Sequence, residues 1–278
     1  MDYLLSLDIW GTNPDTYGSY IYKAPHLVSM AIFIVMLAGV LVGVYYLAKK
    51  SEKHYQSFLK CFAIWMLVFE IVWRVVFLIL GDEKTNIDYP WYPAYPCNLN
   101  AILIPIAVLC NSKTMKHMFY VFGIVGAVLM MVYPTEIFTQ PYIALPPIKS
   151  LIQHWNLFII PCAEILTHHY RVRFRNYWVA WLGMLVHVIN STFITWILNK
   201  IVGDSVFPYL DYIFFRFFGD TEPGYVIVPA VGTLVMGAIF ALSDIKGFKT
   251  CMAQGRDFIK NYKLDDEEVE QKEEETNN

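Results

Sequence analysis

Apolar stretches of about the length of a membrane-spanning helix alternate with short polar segments along most of the chain. Roughly 20 apolar residues in a helix cross the hydrocarbon of a bilayer, which is about 30 Å thick. The pattern therefore predicts an all-α, polytopic membrane bundle of seven transmembrane helices. We place them at residues 27–48, 57–80, 97–111, 115–133, 150–168, 176–198 and 224–242. The third is the shortest, and Pro105 within it favours a kink or a position partly sunk among its neighbours.

The segments before, between and after these spans differ from the spans in composition. Residues 1–26 are expected to be an extracytoplasmic N-terminal segment, with too many acids before the first apolar run for a cleavable signal peptide. Residues 199–223 are rich in aromatic side chains and predict an interfacial helix or a re-entrant piece on the outer face. After the transmembrane domain, residues 27–242, come a basic amphipathic segment at 243–263 on the cytoplasmic surface and an acidic tail at 264–278, which is predicted to be disordered.

Lys and Arg residues are concentrated in alternate loops, as the positive-inside rule requires of a multi-pass protein. Of the 21, 15 lie on the side of the C-terminus and five on the other, with Arg74 inside a span. The five include Lys149, which precedes the fifth predicted span. This asymmetry predicts an extracytoplasmic N-terminus and a cytoplasmic C-terminus, in a multi-pass protein of the cell membrane.

The composition agrees with a membrane protein and narrows the range of partners. Charged residues make up 16% of the chain, compared with roughly 25% in an average soluble domain, and 56% of the residues are hydrophobic. The formal net charge of −3 conceals an acidic tail and a mildly basic body. Nucleic acid is therefore not an expected partner, and the sequence indicates no protein partner.

Ionisable side chains within a span are costly, so each is a candidate for function. Glu70 and Arg74 in the second span are four residues apart, which places them on one helix face as a potential ion pair. The pair would either pin two helices together or line a polar cavity. Glu164, His168 and His169 approach the cytoplasmic end of the fifth span, where snorkelling to the surface is a sufficient explanation.

Cys97 opens the third span, and His154 lies about one turn into the fifth. At about 1.5 Å of rise per residue, the predicted topology puts both groups and Arg74 within roughly 10 Å of the same outer interface. A thiol at a helix N-terminus, with an imidazole to remove its proton, is an arrangement that favours nucleophilic catalysis. Alternatively, Cys97 is a small packing residue and His154 a hydrogen-bonding link between helices. No second His or Cys has ligand spacing near Cys97, so neither a metal nor a cofactor is expected.

The sixth span adds His187, Asn190 and Ser191 at positions i, i+3 and i+4. This spacing predicts a polar stripe that runs from mid-membrane toward the outer face. The stripe would either complete the cavity of Cys97 and His154 or tie helices together.

Several short motifs follow one another along the chain: Pro96-Cys97, Pro105, Tyr133-Pro134, Ile152-Gln153-His154 and Ile159-Ile160-Pro161. Their order and spacing, over about residues 60–245, resemble the YwaF family of bacterial integral membrane proteins. The same series is similar to its eukaryotic relatives, the transmembrane protein 164 family of lipid acyltransferases. Asn98 departs from the pattern, because the eukaryotic relative has a His after the Cys and many bacterial members have an Asp.

The resemblance implies that Cys97 and His154 are the catalytic pair of a lipid acyltransferase at the extracytoplasmic face, with the Cys receiving an acyl chain. His187 falls where the eukaryotic relative has a His. Membrane phospholipids are the partners it implies. On this hypothesis Arg74 holds a lipid phosphate, and Asn98, Asn100 or backbone N–H groups stabilise the oxyanion. The candidate substrate-binding residues are Glu70, Arg74, Asn98, Asn100, His187 and Asn190.

Two other functions remain open on the sequence. A phospholipid or lipid hydrolase would use the same Cys-His pair, with water in place of the acceptor lipid. A transporter or ligand-binding bundle would use its buried ionisable side chains to coordinate a polar solute or protons. These side chains are Glu70, Arg74, His154 and His187.

Overall fold

The computed structural model describes residues 20, 22–80, 92, 93, 95–132, 145–194, 197, 200, 201 and 224–256. Within these ranges the chain forms helices and turns and has no strand. Residues 1–19, most of the 199–223 segment, Tyr133-Pro134 and the acidic tail lie outside the described residues.

The long helices occupy the positions of the predicted spans. They are α1 Ala24–Lys50, α2 Glu52–Leu80, α3 Pro96–Leu109, α4 Lys113–Val132, α5 Leu145–Leu166, α6 Tyr177–Ile189 and α7 Gly224–Ser243. A short 3-10 turn, Phe174–Asn176, precedes α6, and a π-helical turn, Asn190–Ile194, follows it. Residues 245–256 are also helical, within the predicted amphipathic segment.

The helices have the apolar character of a membrane protein. In the described part of the chain, α1 and α4 are long and apolar enough to cross a membrane, whereas Pro96–Leu109 and Gly232–Ser243 are apolar but shorter. Helix α1 exposes large apolar side chains such as Val35, which is 71% exposed. A surface of this kind suits lipid rather than water. The number of crossings stays a prediction from the apolar runs, and their direction stays a prediction from the loop charges.

The packing of the helices decides which polar groups can meet. Helices α2, α3 and α5 contact one another, α4 packs on α3, α5 and α6, and α1 packs on α2 and α5. Pro105 lies within α3 without interrupting it. The helices that carry Arg74, Cys97 and His154 are therefore mutual neighbours. The core between these helices includes the fully buried side chains of Tyr55, Leu59, Ile104, Leu157 and Ile160.

An ion pair with a buried carboxylate joins α4 to α5 away from the start of α3. Lys116 Nζ donates a hydrogen bond to Glu164 Oε1 at 2.7 Å, and Glu164 is 2% exposed. Snorkelling was therefore the wrong explanation for Glu164, because its partner lies on a neighbouring helix rather than in solvent. His168 and His169 are exposed, and His169 contacts Glu52 at 3.0 Å.

Helices α4 and α6 approach each other closely at Gly183. A Cβ atom added at Gly183 would overlap the backbone carbonyl of Met118 on α4. We predict that Gly183→Ala destabilises the protein by about 1–3 kcal/mol, because a backbone neighbour cannot rotate away as a side chain can. Thermal unfolding in detergent measures this. Gly126→Ala is the matched control, because nothing lies within 4 Å of a Cβ there, and an unchanged or higher unfolding temperature is expected for it. Equal melting of the two variants would contradict the close approach.

The Lys116–Glu164 pair gives a second prediction. Removing one partner leaves the other charge buried and unpaired, at a cost of about 3–5 kcal/mol, whereas apolar replacement of both is often close to neutral. We therefore expect Lys116→Met, which leaves the buried carboxylate of Glu164 unpaired, to unfold at a lower temperature than the double variant Lys116→Met/Glu164→Leu. Thermal unfolding of the single and double variants tests this, and additive losses would show that the two side chains are not coupled.

Candidate functional site

The first turn of α3 positions the thiol of Cys97. Tyr95 is the N-cap residue in an extended conformation and Pro96 is the first helical residue, a position where its fixed φ and missing N–H cost nothing. The N–H groups of Cys97 and Asn98 belong to the first turn, which has no carbonyl to accept from them. Both N–H groups interact with Sγ of Cys97, which is half-buried. The sulfur therefore lies where positive backbone dipoles converge.

The side-chain carbonyl of Asn98 connects α3 to α5. Gln153 Nε2 donates a hydrogen bond to Asn98 Oδ1 at 2.7 Å, and Lys149 Nζ approaches the same oxygen at 3.4 Å. The sulfur of Cys97 lies 3.9 Å from this oxygen. Because its carbonyl oxygen is an acceptor for these groups, the amide NH₂ of Asn98 remains as a donor.

Lys149 is a functional candidate that the sequence analysis did not single out. Its side chain is buried, at 3% exposure, and Nζ donates to Gln153 Oε1 at 2.6 Å. The sequence analysis placed Lys149 just before the fifth predicted span, whereas α5 begins at Leu145 and includes it. The i, i+4 spacing of Lys149 and Gln153, directly before His154, is the signal that could have identified it.

The predicted ion pair of Glu70 and Arg74 is present. Arg74 Nη2 donates a hydrogen bond to Glu70 Oε1 on the same helix. The other carboxylate oxygen of Glu70 lies 3.7 Å from Lys149 Nζ, so the carboxylate joins α2 to α5. Glu70 is 1% exposed, and a carboxylate buried to this extent needs such cations.

His154 is held in one tautomer by its own helix. Its Nδ1 lies 2.7 Å from the backbone oxygen of Ser150, which can only accept. Nδ1 therefore carries the proton, and Nε2 has the free lone pair of a base. Within the described residues no hydrogen bond joins His154 to Cys97. The two are connected through Gln153 and Asn98, the residues next to them in sequence.

The predicted polar stripe of α6 ties this helix to the start of α3. His187 Nε2 donates to Asn100 Oδ1 at 3.0 Å, and its ring stacks on Phe122 of α4. Asn190 Nδ2 donates to the backbone oxygen of Pro93 at 2.8 Å, and its Oδ1 accepts from the hydroxyl of Tyr92. These contacts favour the helix-tying alternative over a shared cavity, and a substrate-binding role for Asn100, His187 and Asn190 stays a prediction.

These features define an all-α membrane protein with a buried, charged hydrogen-bond network at the start of α3. A model of the TMEM164 family matches residues 21–240. The match covers well over half of the chain, and the chain therefore belongs to the TMEM164 family. No curated protein and no solved structure gives a significant match.

The role of Asn98 as a shared acceptor is testable by two substitutions of similar size. Asn98→Leu leaves the amide of Gln153 without its acceptor, and each buried donor left unsatisfied costs about 1–3 kcal/mol. Asn98→Asp keeps an acceptor oxygen and adds a negative charge opposite Lys149. We expect Asn98→Leu to lower the unfolding temperature clearly more than Asn98→Asp does. The reverse order would show that the network does not depend on an acceptor at this position.

Proposed function

We propose that this protein is a membrane-embedded lipid acyltransferase that uses Cys97 as nucleophile and His154 as base at the extracytoplasmic face. The observation that carries the proposal is the hydrogen bond between Asn98 and Gln153. It brings the residue after Cys97 against the residue before His154, and it does so beside a buried ammonium group. Membership of the TMEM164 family and the resemblance to lipid acyltransferases support the same conclusion.

The first half-reaction transfers the proton of the Cys97 thiol to Nε2 of His154. The thiolate then attacks the ester carbonyl carbon of a glycerophospholipid and forms a tetrahedral intermediate. Collapse of the intermediate breaks the carbon–oxygen bond, and the leaving alkoxide takes the proton from His154. The products are a lysophospholipid and an acyl thioester on Cys97.

In the second half-reaction, His154 removes the proton of a hydroxyl group on an acceptor lipid. The oxygen attacks the thioester carbonyl, and the thiolate leaves and recovers the proton from His154. One imidazole can serve both steps because its other nitrogen stays bonded to Ser150 throughout. Water in place of the acceptor hydroxyl would make the enzyme a hydrolase.

Groups around the thiol have the chemistry to stabilise charge during these steps. The NH₂ group of Asn98 and the first-turn N–H groups of α3 are donors for an oxyanion, since such donors act most strongly when they are fixed in advance. Arg74 is partly exposed, at 17% of its side chain. It can hold a lipid phosphate while it shares the Glu70 carboxylate with Lys149, because a guanidinium matches phosphate geometry.

The proposal predicts a covalent acyl adduct on Cys97. We expect the purified protein, in vesicles of labelled phospholipid, to acquire a label that hydroxylamine removes. Cys97→Ala should carry no label, and His154→Ala should form it at least about a hundredfold more slowly, because a general base contributes roughly 10²–10⁴-fold. Peptide-resolved mass spectrometry locates the adduct.

Cys162→Ala is the matched control, because this half-buried thiol lies two turns further along α5 from His154. Its adduct should equal that of the wild type. Free fatty acid as the labelled product, without labelled acceptor lipid, would assign the hydrolase reaction. No adduct on the wild type and unchanged lipids would overturn the proposal in favour of a transporter or binding bundle.

A further inference from the structure

Lys149 is a buried cation that three helices hold in place. Its ammonium group contacts Glu70 on α2, Asn98 on α3 and Gln153 on its own helix α5. A charge taken out of water is costly unless it is paired and hydrogen-bonded. The three contacts fix the position of Nζ more firmly than a flexible surface lysine allows.

The same contacts bring this charge to the thiol of Cys97. Nζ and Sγ both approach Asn98 Oδ1, at 3.4 Å and 3.9 Å. Cys97 interacts electrostatically with two charged side chains, Lys149 and Glu70. These have opposite effects, since a cation favours a nearby thiolate and a carboxylate opposes it.

Four other titratable groups on the surrounding helices have partners of their own. Arg74 on α2 is bonded to Glu70, and His154 on α5 is bonded to Ser150. His187 on α6 is bonded to Asn100, one turn along α3. On α4, Lys116 is bonded to Glu164, away from the start of α3.

We propose that Lys149 is the positioning residue that makes Cys97 a nucleophile, by supplying the fixed positive charge against which the thiolate forms. The role rests on the proposed function, because it takes Cys97 as the attacking group. When the S–H bond breaks, the proton passes to Nε2 of His154, and Lys149 stays protonated. Asn98 fixes the relative position of the two groups, and Glu70 limits how strongly the ammonium favours the thiolate.

The test is the rate at which a small neutral reagent, iodoacetamide, alkylates Cys97 over neutral to alkaline pH, followed by peptide-resolved mass spectrometry on the full chain. Only the thiolate reacts, so the rate reports its population without any lipid substrate. Lys149→Gln should react about tenfold more slowly at neutral pH, since opposite charges this close interact strongly below the membrane surface. The pH at which the rate is half-maximal should rise.

Two further variants separate charge from structure. Lys149→Arg keeps the positive charge and should restore the rate to within about threefold of the wild type, by the same Coulomb argument. Glu70→Gln removes the opposing carboxylate and should accelerate alkylation. If the two substitutions acted by damaging the structure, Lys149→Gln and Glu70→Gln would change the alkylation rate of Cys97 in the same direction. If they act through charge, Lys149→Gln lowers this rate and Glu70→Gln raises it.

Lys116→Met is the matched control, because it removes the ammonium group of another ion pair between neighbouring helices. Its pH profile of alkylation should stay at the wild-type position even if the protein melts earlier. A wild-type profile for Lys149→Gln would overturn the role of Lys149, as would slower alkylation of Glu70→Gln. If Lys149→Gln does not fold, the profiles of Lys149→Arg and Glu70→Gln decide the question.

The outcome also separates this role from the proposed function. An acyl adduct on the wild type together with an unchanged Lys149→Gln profile would keep the acyltransferase and reject Lys149. The expected alkylation pattern without any acyl adduct would keep the coupling of Lys149 to Cys97 and reject the acyltransferase.

Discussion

A carboxylate buried at the contact of two helices organises the start of α3. Glu70 is almost fully inaccessible, and it is neutralised by Arg74 on its own helix and by Lys149 on α5. Because an uncompensated carboxylate in this position would cost several kcal/mol, α2 and α5 are held in one relative register. That register brings Gln153 to Asn98, and so it decides where the thiol of the preceding residue lies.

Side chains in the first two turns of helix α3 contact two separate polar networks. Asn98 directs its carbonyl oxygen to α5, where the network is charged. Asn100 receives His187 from α6, where the surroundings are aromatic and uncharged. The thiol of Cys97 belongs to the charged network, which is why acid–base chemistry is better supported there than at His187.

Local patterns predicted the helices and the ion pair of Glu70 and Arg74, which lies within a single helix. Apolar runs gave the positions of α1 to α7, and the spacing of Glu70 and Arg74 gave their pairing. The sequence did not predict the contacts of Lys149 and Glu164, because their partners lie on other helices. Glu70 and Lys149, for example, are 79 positions apart in sequence. An apolar-run criterion also begins α5 too late, because Pro146, Pro147 and Lys149 interrupt the apolar pattern although all three lie within the first two turns of the helix.

The short length of α3 has a consequence for how a lipid reaches the site. Its 14 residues extend over about 21 Å, which is about 9 Å less than the hydrocarbon thickness of a bilayer. If its far end lay at one surface of the hydrocarbon, the helix would stop about 9 Å inside the other leaflet, below the glycerol backbones and among the upper acyl chains. On the proposed function, a lipid substrate would enter sideways from its own leaflet, without extraction into water, and bilayer thickness would become a determinant of turnover.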